Sequence, residues 1–441
     1  MSFVKIKPAS KIKLASSTNF ENIYSLDSES YNKLNFFENV ITPIYPMQTW
    51  GWVSDFWLSE KKAADGHEAF LISECDSTKN YWVQAVVYKY PWHTGEVFLT
   101  IPRGPVFSFN FNKASEAVQT KLLLDFKKSL EAVVNITKAC FVKIESSWDG
   151  SQILDLTTGD TDIADLKYDS SNKLLDHFKN QYINFNTKFL QPPYSRTIKI
   201  QVENILPLPF KGGASEDFFG VWFGTYFESV VTCFESKTRY NARLAKKKGL
   251  QIFWDKSDET FEEFWSIMEK TSDRQEFVPY TRSYYKNVLK NDWADLVLVK
   301  TPEGQTTNAW MGSFISGMGM YLYGGSDLSF SSLKGAEYIH TAAIIRTLQK
   351  CGKTVETDIG GQFELVYDMG GSSLLDGALP AWDGYSKFKK GFGGKIVEYL
   401  PHTYDVIYKP FKYNLLKFSI DFLKPFLKKM KRIGHRDGKK G

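Results

Sequence analysis

Asp295-Leu-Val-Leu-Val-Lys300, the turn Pro302-Glu-Gly-Gln305, Ala309-Trp-Met-Gly-Ser-Phe-Ile315 and Gly319 to Tyr323 follow one another closely, and a helical run from Lys334 to Cys351 leads to Thr354-Val-Glu-Thr-Asp358. Apolar, β-branched and aromatic runs separated by Gly- and Pro-containing turns predict paired antiparallel strands, and the helix then carries the chain to one more strand. The order is strand, strand, strand, helix, strand. It recurs upstream, where Tyr81-Trp-Val-Gln-Ala-Val-Val-Tyr88 and Gly95-Glu-Val-Phe-Leu-Thr-Ile101 flank turn-forming Pro91 and Gly95. A helical pattern at about 114–138 and the short buried strand Phe141-Val-Lys-Ile144 complete that first set.

This repeated order is the core of a GNAT-like acyltransferase fold. The expected class is therefore α+β, with two GNAT-like acyltransferase domains in tandem. Residues 1–195 form the first and 196–398 the second. A strand near Glu398 to Ile407 returns to the first domain, which about 399–410 completes, and 411–441 is a basic amphipathic tail. Between the two sets, Asp149 to Asp169 is rich in Asp, Ser, Thr and Gly and reads as a loop or insertion. Arg196-Thr-Ile-Lys-Ile-Gln-Val202 opens the second set. Helices follow at about 214–231 and 235–248, then a strand near Leu250 to Trp254 and further helices to about 290.

With 441 residues the chain can bury two cores of ordinary size. Its four cysteines, Cys75, Cys140, Cys233 and Cys351, are far apart and form no CxxC pair, which suits a reducing cytosol. The histidines show no HxxH, HxxxH or HExxH spacing, so no metal site and no cofactor are expected. His93 and His340 read as satisfied structural residues. Met-Ser-Phe-Val-Lys-Ile-Lys-Pro at the N-terminus alternates apolar and basic residues and reads as a strand, not a signal peptide. No run reaches the roughly 18 apolar residues of a spanning helix. The expected location is cytoplasmic and peripheral at the inner face of the membrane. From Lys409 to Gly441 there are eleven Lys/Arg against two Asp/Glu, a balance of +9. Since the whole chain carries +5, residues 1–408 carry −4.

Tyr385-Ser-Lys-Phe-Lys-Lys-Gly-Phe-Gly-Gly394 combines aromatic rings, lysines and glycines, which lets a backbone approach a polyanion; a Gly-rich turn between strands would look similar. Together with Ile101-Pro-Arg-Gly-Pro-Val106 and Met320-Tyr-Leu-Tyr-Gly-Gly-Ser326, in that order along residues 35 to 400, it resembles the Fem-type (FemABX) peptidyltransferases. Proteins of that family add amino acids from aminoacyl-tRNA to peptidoglycan precursors. Some carry an inserted two-helix arm; from Tyr285 to Trp293 this chain has no room for one, so it resembles the armless members.

The resemblance implies a reaction in which a stem-peptide amine attacks the ester linking an amino acid to the tRNA 3′ end. Such an ester is already activated, so the work is orientation and oxyanion stabilisation, in keeping with the absence of GxSxG, Cys–His–Asn and Walker motifs. Tyr321 and Tyr323, two apart on a predicted strand, would share one face, as cleft residues or as aromatic core. Lys389 and Phe388 match the residues that approach the tRNA acceptor end, with a structural turn as the alternative. Arg239 and Arg243, in a stripe with Lys246, would hold the diphosphate of the muramyl peptide or form a solvated basic face. Arg103 of the PRGP motif and Trp50 are further substrate-binding candidates. Glu145 would hold the incoming amine; relatives often have Asp-Pro there, whereas here Ser146 follows a glutamate. A lysine often seen after the Trp-Gly pair is missing, Lys61 being nearest.

The expected partners are aminoacyl-tRNA, a lipid-linked or UDP-linked peptidoglycan precursor and an anionic membrane surface, with the protein a monomer. Two other functions compete. An acyl-CoA-dependent N-acyltransferase would need a Q/RxxGxG/A loop, which Gly324 to Gly335 does not match. A non-catalytic membrane-attached RNA binder would need only the basic helix and tail. In that tail, Phe411, Leu415, Phe418, Phe422, Phe426, Met430 and Ile433 recur at spacings of three or four, predicting an amphipathic helix broken near Pro425 that lies on lipid or packs on the first domain. Each nearby Lys or Arg contributes on the order of 1 kcal/mol at an anionic surface.

Overall fold

The computed structural model describes residues 3–6, 23–26, 46–48, 52, 66–92, 95–108, 111–145, 151–154, 170–178, 181–185, 196–201, 219–275, 277–315, 317–351, 365–371, 383–399 and 403–419. Up to residue 201 the elements are β1 (Phe3–Ile6), β2 (Ile23–Leu26), β3 (Glu68–Cys75), β4 (Trp82–Pro91), β5 (Val97–Ile101), β6 (Val106–Phe107), α1 (Glu116–Thr137), β7 (Phe141–Ile144), β8 (Ser151–Leu154), α2 (Ser170–His177), β9 (Tyr182–Phe185) and β10 (Arg196–Gln201). After it come α3 (Phe219–Thr232), α4 (Ser236–Lys247), β11 (Gln251–Trp254), α5 (Asp258–Gln275), α6 (Arg282–Leu289), β12 (Ala294–Lys300), β13 (Thr306–Ile315), β14 (Met318–Ser326), α7 (Gly335–Cys351), β15 (Val366–Gly371), α8 (Asp383–Lys390), β16 (Lys395–Tyr399), β17 (Tyr404–Ile407) and α9 (Pro410–Phe418).

The class is α+β, built on two open sheets. One runs β2-β1-β3-β4-β5-β7-β17-β9, with β6 beside β4, and the other β11-β12-β13-β14-β15-β10-β16-β8. Each contains three successive antiparallel strands followed by a helical crossover to a parallel neighbour. In the first sheet α1 joins β5 to parallel β7; in the second α7 joins β14 to parallel β15. The sheets also exchange strands, since β8 pairs with β16 in the second and β17 returns between β7 and β9 in the first.

Alternation along the strands divides the core. Leu296 and Leu298 of β12 join Ala309 and Met311 of β13 in a cluster that also contains Ala69, Leu71, Val86 and Tyr88 of the first sheet and the buried faces of α5 and α6. Val297, Val299 and Trp310 face the opposite way, against α3, α4 and α7. A strand buried on both faces reads as a continuous apolar run, as β12 does. The far face of the first sheet is covered by Phe126, Leu130 and Val133 of α1, whose N-terminus is capped by the Ser115 hydroxyl.

Three expectations need correction. Thr354 to Asp358 lies outside the described residues, and the strand beside β14 is β15, at Val366–Gly371. The stretch read as a loop or insertion contains β8, too short and polar to announce itself but paired along its whole length with Ser151↔Tyr399 to Leu154↔Ile396. The single returning strand is two: β16 stays in the second sheet and β17 enters the first.

One ion pair fixes the returning strand. Asp405 and Lys143 lie opposite each other in β17 and β7, both buried, with Nζ 2.9 Å from Oδ1. The Tyr413 hydroxyl of α9 donates to the other carboxylate oxygen at 2.7 Å. Asp405→Asn should cost about 3–5 kcal/mol in urea unfolding, because it leaves an ammonium buried without its counter-charge. Adding Lys143→Met should recover much of that loss; a double variant no better than the single would show that the pair does not pin the strand.

Candidate functional site

The site in the second sheet begins with a register shift. Met311 pairs with Tyr323 and Gly312 with Tyr321, so Leu322 is an extra residue between adjacent rungs. A bulge of this kind reverses the side-chain alternation. Gly312 permits it: a Cβ there would lie 2.2 Å from the Met320 carbonyl oxygen and 2.3 Å from the Trp310 ring. Tyr321 therefore packs with the α7 side of the sheet and Tyr323 with the α5/α6 side. The expectation that the two tyrosines share a face is wrong, because two residues apart means one face only in an unbulged strand.

On the α7 side, β14 and β15 pair in parallel from Met318↔Val366 to Met320↔Asp368, where their shared register ends. Lys389 lies at this opening. It sits near the end of α8 and not in a turn, and is only 4% exposed. Its ammonium donates to the Gly371 carbonyl at 2.8 Å and lies 4.6 Å from the centre of the Tyr385 ring. Gly370 has φ +74°, and a Cβ built on it would be 3.7 Å from the Lys389 nitrogen and 3.9 Å from the Tyr321 carbonyl oxygen. Glycine thus supplies a left-handed bend and leaves the approach open. Burial pulls the Lys389 amine down to about 7, with nearby Asp368 opposing the shift. The Tyr321 and Tyr385 hydroxyls are 3.4 Å apart at the same place.

Beneath them runs a buried relay. Trp310 Nε1 donates to the Tyr367 hydroxyl at 2.9 Å, and that hydroxyl lies 2.8 Å from His340 Nδ1. The Tyr367 oxygen has two lone pairs, so with Trp310 as one donor it either gives its own proton to Nδ1 or accepts a second from it, according to the imidazole tautomer. Burial, reinforced by the Lys389 charge, lowers His340 to about 3. A neutral imidazole therefore adds no like charge beside Lys389. Phe388 does not face outward for stacking; it packs against His340 and Phe392, with ring centres 5.8 and 5.2 Å away. His340, Tyr367, Asp368 and Tyr385 were not chosen as functional residues from sequence, though Tyr385 opens the glycine-rich motif.

On the other face, Tyr323 contacts the Tyr284 hydroxyl and the edges of Tyr280 and Tyr285. Tyr280 stacks on Tyr284 at 4.2 Å and is largely exposed. In the first sheet, the PRGP turn is folded against the end of β7: Gly104 N–H donates to Glu145 O, and Glu145 N–H to Ile101 O. Gln48 holds this turn through Pro102 O and binds the Val86 N–H. Arg103, with φ +51°, is buried beside Glu145. Desolvation raises the Glu145 carboxyl to about 7 against the pull of Arg103 and Lys143. The Tyr90 phenol is raised chiefly by burial, with smaller contributions from Glu145 and Tyr280, which places a second-half aromatic in the field of this first-half group.

Arg239 and Arg243 lie on the exposed face of α4. Arg239 donates to Thr232 O at 3.0 Å, and Arg243 binds the Glu228 carboxylate through Nε and Nη2 at 3.0 and 2.8 Å. Trp50 lies outside the described residues, as does His93.

Glu145 allows a direct check. Its folded carboxyl keeps its proton to a higher pH than the unfolded one, at about 7 against 4.5. Its contribution to stability is therefore complete below pH 4.5 and lost as pH rises to 7. Glu145→Gln should stabilise the protein at pH 8 by a few kcal/mol, in the order of magnitude that such a shift implies, and change it little at pH 4. A difference independent of pH in thermal or urea unfolding would contradict this account.

Comparison with known proteins adds a family. Residues 224–301, from α3 to the end of β12, match the model of the FemAB family. The solved structure of FemX superimposes with a TM-score of 0.61 at 16% identity, covering 89% of this chain and 98% of that one. L-PGS from Bacillus licheniformis has a TM-score of 0.36 at 13% identity, covering 75% of this chain and 83% of its own. A GCN5-related N-acetyltransferase from Kribbella flavida has 0.27 at 10%, covering 75% and 87%. No curated protein matches in sequence. Residues 224–301 thus resemble the FemAB family, and the chain shares the fold of FemX.

Proposed function

We propose that this protein transfers an amino acid from aminoacyl-tRNA to the stem-peptide amine of a peptidoglycan precursor, lipid-linked or UDP-linked. The Fem-type match supports aminoacyl transfer to such precursors in general terms. The observation that carries the specific reading is Lys389, a buried amine drawn down to about 7 where β14 and β15 part.

The reaction forms a C–N bond, breaks the ester C–O bond and moves one proton from the attacking amine to the ribose oxygen. Neutral Lys389 takes that proton, and its ammonium then returns it to the leaving oxygen; a group near pH 7 serves both steps. The hydroxyls of Tyr321 and Tyr385 can donate to the oxyanion. Glu145 receives the amine on the precursor side, with Arg103 beside it, and Tyr323 lines the aromatic face. Phe388 supports His340 and Lys389 from the core. Arg239 and Arg243 serve the precursor diphosphate, for which Glu228 and Thr232 O are the present substitutes. An acyl-CoA donor is disfavoured: the turn before α7 is capped by the Asp327 carboxylate on Ser329 N–H, negative where a pyrophosphate would bind.

Incubation with mixed charged tRNAs and precursor, followed by product masses, tests the reaction. kcat/KM should rise through about pH 7 as Lys389 loses its proton. Lys389→Met should lower it at least tenfold, and Lys389→Arg should abolish the rise as well, since arginine stays charged. A wild-type rate that falls above pH 7, or transfer from acyl-CoA alone, would overturn the reading.

Arg243→Ala should change stability by less than about 1 kcal/mol, because its ion pair is exposed. It should raise KM for a diphosphate-bearing precursor more than for charged tRNA. An equal rise with a precursor lacking the diphosphate would remove Arg243 from that role.

A further inference from the structure

The helix that follows the returning strand has two apolar faces. Tyr413 and Leu416 of α9 are buried against Phe98, Cys140, Phe141 and Ile407, on the face of the first sheet opposite α1. Lys412 pairs with Glu96 at 2.7 Å and Lys409 donates to Lys138 O at 2.6 Å, so the helix is fastened along its length. Phe411, Leu415 and Phe418 are 82, 55 and 53% exposed. At i, i+4 and i+7 they form one stripe, about half a turn away from Tyr413 and Leu416. One side of α9 is spent on the core, and the large apolar side chains of the other keep more than half of their surface exposed.

We infer that this outer stripe of α9 is a docking surface for an anionic lipid bilayer. Charge selects the occupant. Residues 420–441, which continue the chain from the stripe, carry eight Lys/Arg and two Asp. A cationic segment does not favour folding back over Lys417, and a second copy would bring two such segments together. An apolar stripe continued by cations is complementary to acyl chains beneath acidic headgroups. Because α9 is pinned, docking also orients the molecule. Tyr90, Phe98 and Phe141 stack in succession at 4.9 and 5.1 Å, and Tyr413 meets Phe141 edge-on at 5.1 Å, so the lipid would lie on the side of the first sheet that carries Tyr90. A lipid-linked substrate would then be presented at that side. The vesicle test below needs no substrate, so its failure and failure of the transferase reading are separable.

The full chain should co-sediment with vesicles of phosphatidylcholine containing phosphatidylglycerol and not with phosphatidylcholine alone, and salt should weaken the binding. The triple variant Phe411→Ser, Leu415→Ser, Phe418→Ser should bind at least tenfold more weakly, while thermal unfolding stays near wild type because Tyr413 and Leu416 are untouched. Binding that is absent, equal on neutral vesicles, or undiminished in the triple variant would overturn the inference. So would sedimentation velocity showing a wild-type dimer that the triple variant abolishes while vesicle binding persists. If the triple variant unfolds, Phe411→Ser alone, at the most exposed position, takes its place and should still weaken binding measurably.

Discussion

A lysine side chain inside a protein must place its ammonium against oxygen or give up its proton, and Lys389 does something of each. Its nitrogen is fixed to the Gly371 carbonyl, yet burial brings the amine close to neutrality. That arrangement depends on the parting of β14 and β15. If their register continued past Met320↔Asp368, backbone would occupy the space between Tyr321 and Gly370. The parting depends in turn on β15 being drawn toward β10, with which it pairs as far as Gly371↔Thr197 across an irregularity at residues 197 to 199. The local chemistry thus derives from how three strands share hydrogen bonds.

The corresponding place in the first sheet is built differently. Pairing of β5 with β7 is prolonged beyond the strands by Glu145 N–H to Ile101 O and Gly104 N–H to Glu145 O, and the PRGP turn folds over the end. Closure of that kind buries Arg103, Lys143, Glu145 and Asp405 near one another. The Lys143–Asp405 pair is matched across β7 and β17, whereas Glu145 carries the cost of desolvation in its raised carboxyl. A duplicated core has therefore become one open end with a weakened base and one closed end with a weakened acid.

Much of the second half was legible because its signals are local. The apolar runs of β12 and β13, the helix α7 and the basic face of α4 appear within three residues of their expected positions. What could not be read depends on partners distant in sequence. Nothing in Tyr321-Leu-Tyr323 reveals the extra residue, since the bulge is set by Gly312 on the neighbouring strand. His340 was read as a satisfied structural histidine, which its bond to Tyr367 supports, but its position beneath Lys389 requires α7 to be packed on β15. β8 is short and takes its hydrogen bonds from β16, which is itself placed by pairing with β10. Lys389 was identifiable by motif, while its burial was not, because Gly-rich sequence suggests exposure and α8 instead turns the lysine inward.

The two ends titrate from opposite directions for a single reason. Desolvation is the largest influence on both Lys389 and Glu145, and it disfavours whichever form is charged, lowering the amine and raising the acid to about 7. In the proposed transfer, an acceptor that arrives as an ammonium gives one proton to solvent before it attacks, and the Glu145 carboxylate would hold it until then. Neutral Lys389 would receive the second proton, the one lost as the C–N bond forms, and pass it to the ribose oxygen. Neither group needs a strong partner for this, and a strong partner would spoil it: a carboxylate bonded directly to Lys389 would return its affinity for the proton to the ordinary range. In the structure its hydrogen-bond acceptor is the neutral Gly371 carbonyl, while Asp368 directs Oδ1 to the Gly370 N–H at 2.7 Å. The backbone bend at Gly370 thus gives the nearby carboxylate a donor other than Lys389, and in doing so helps keep the amine available for proton transfer.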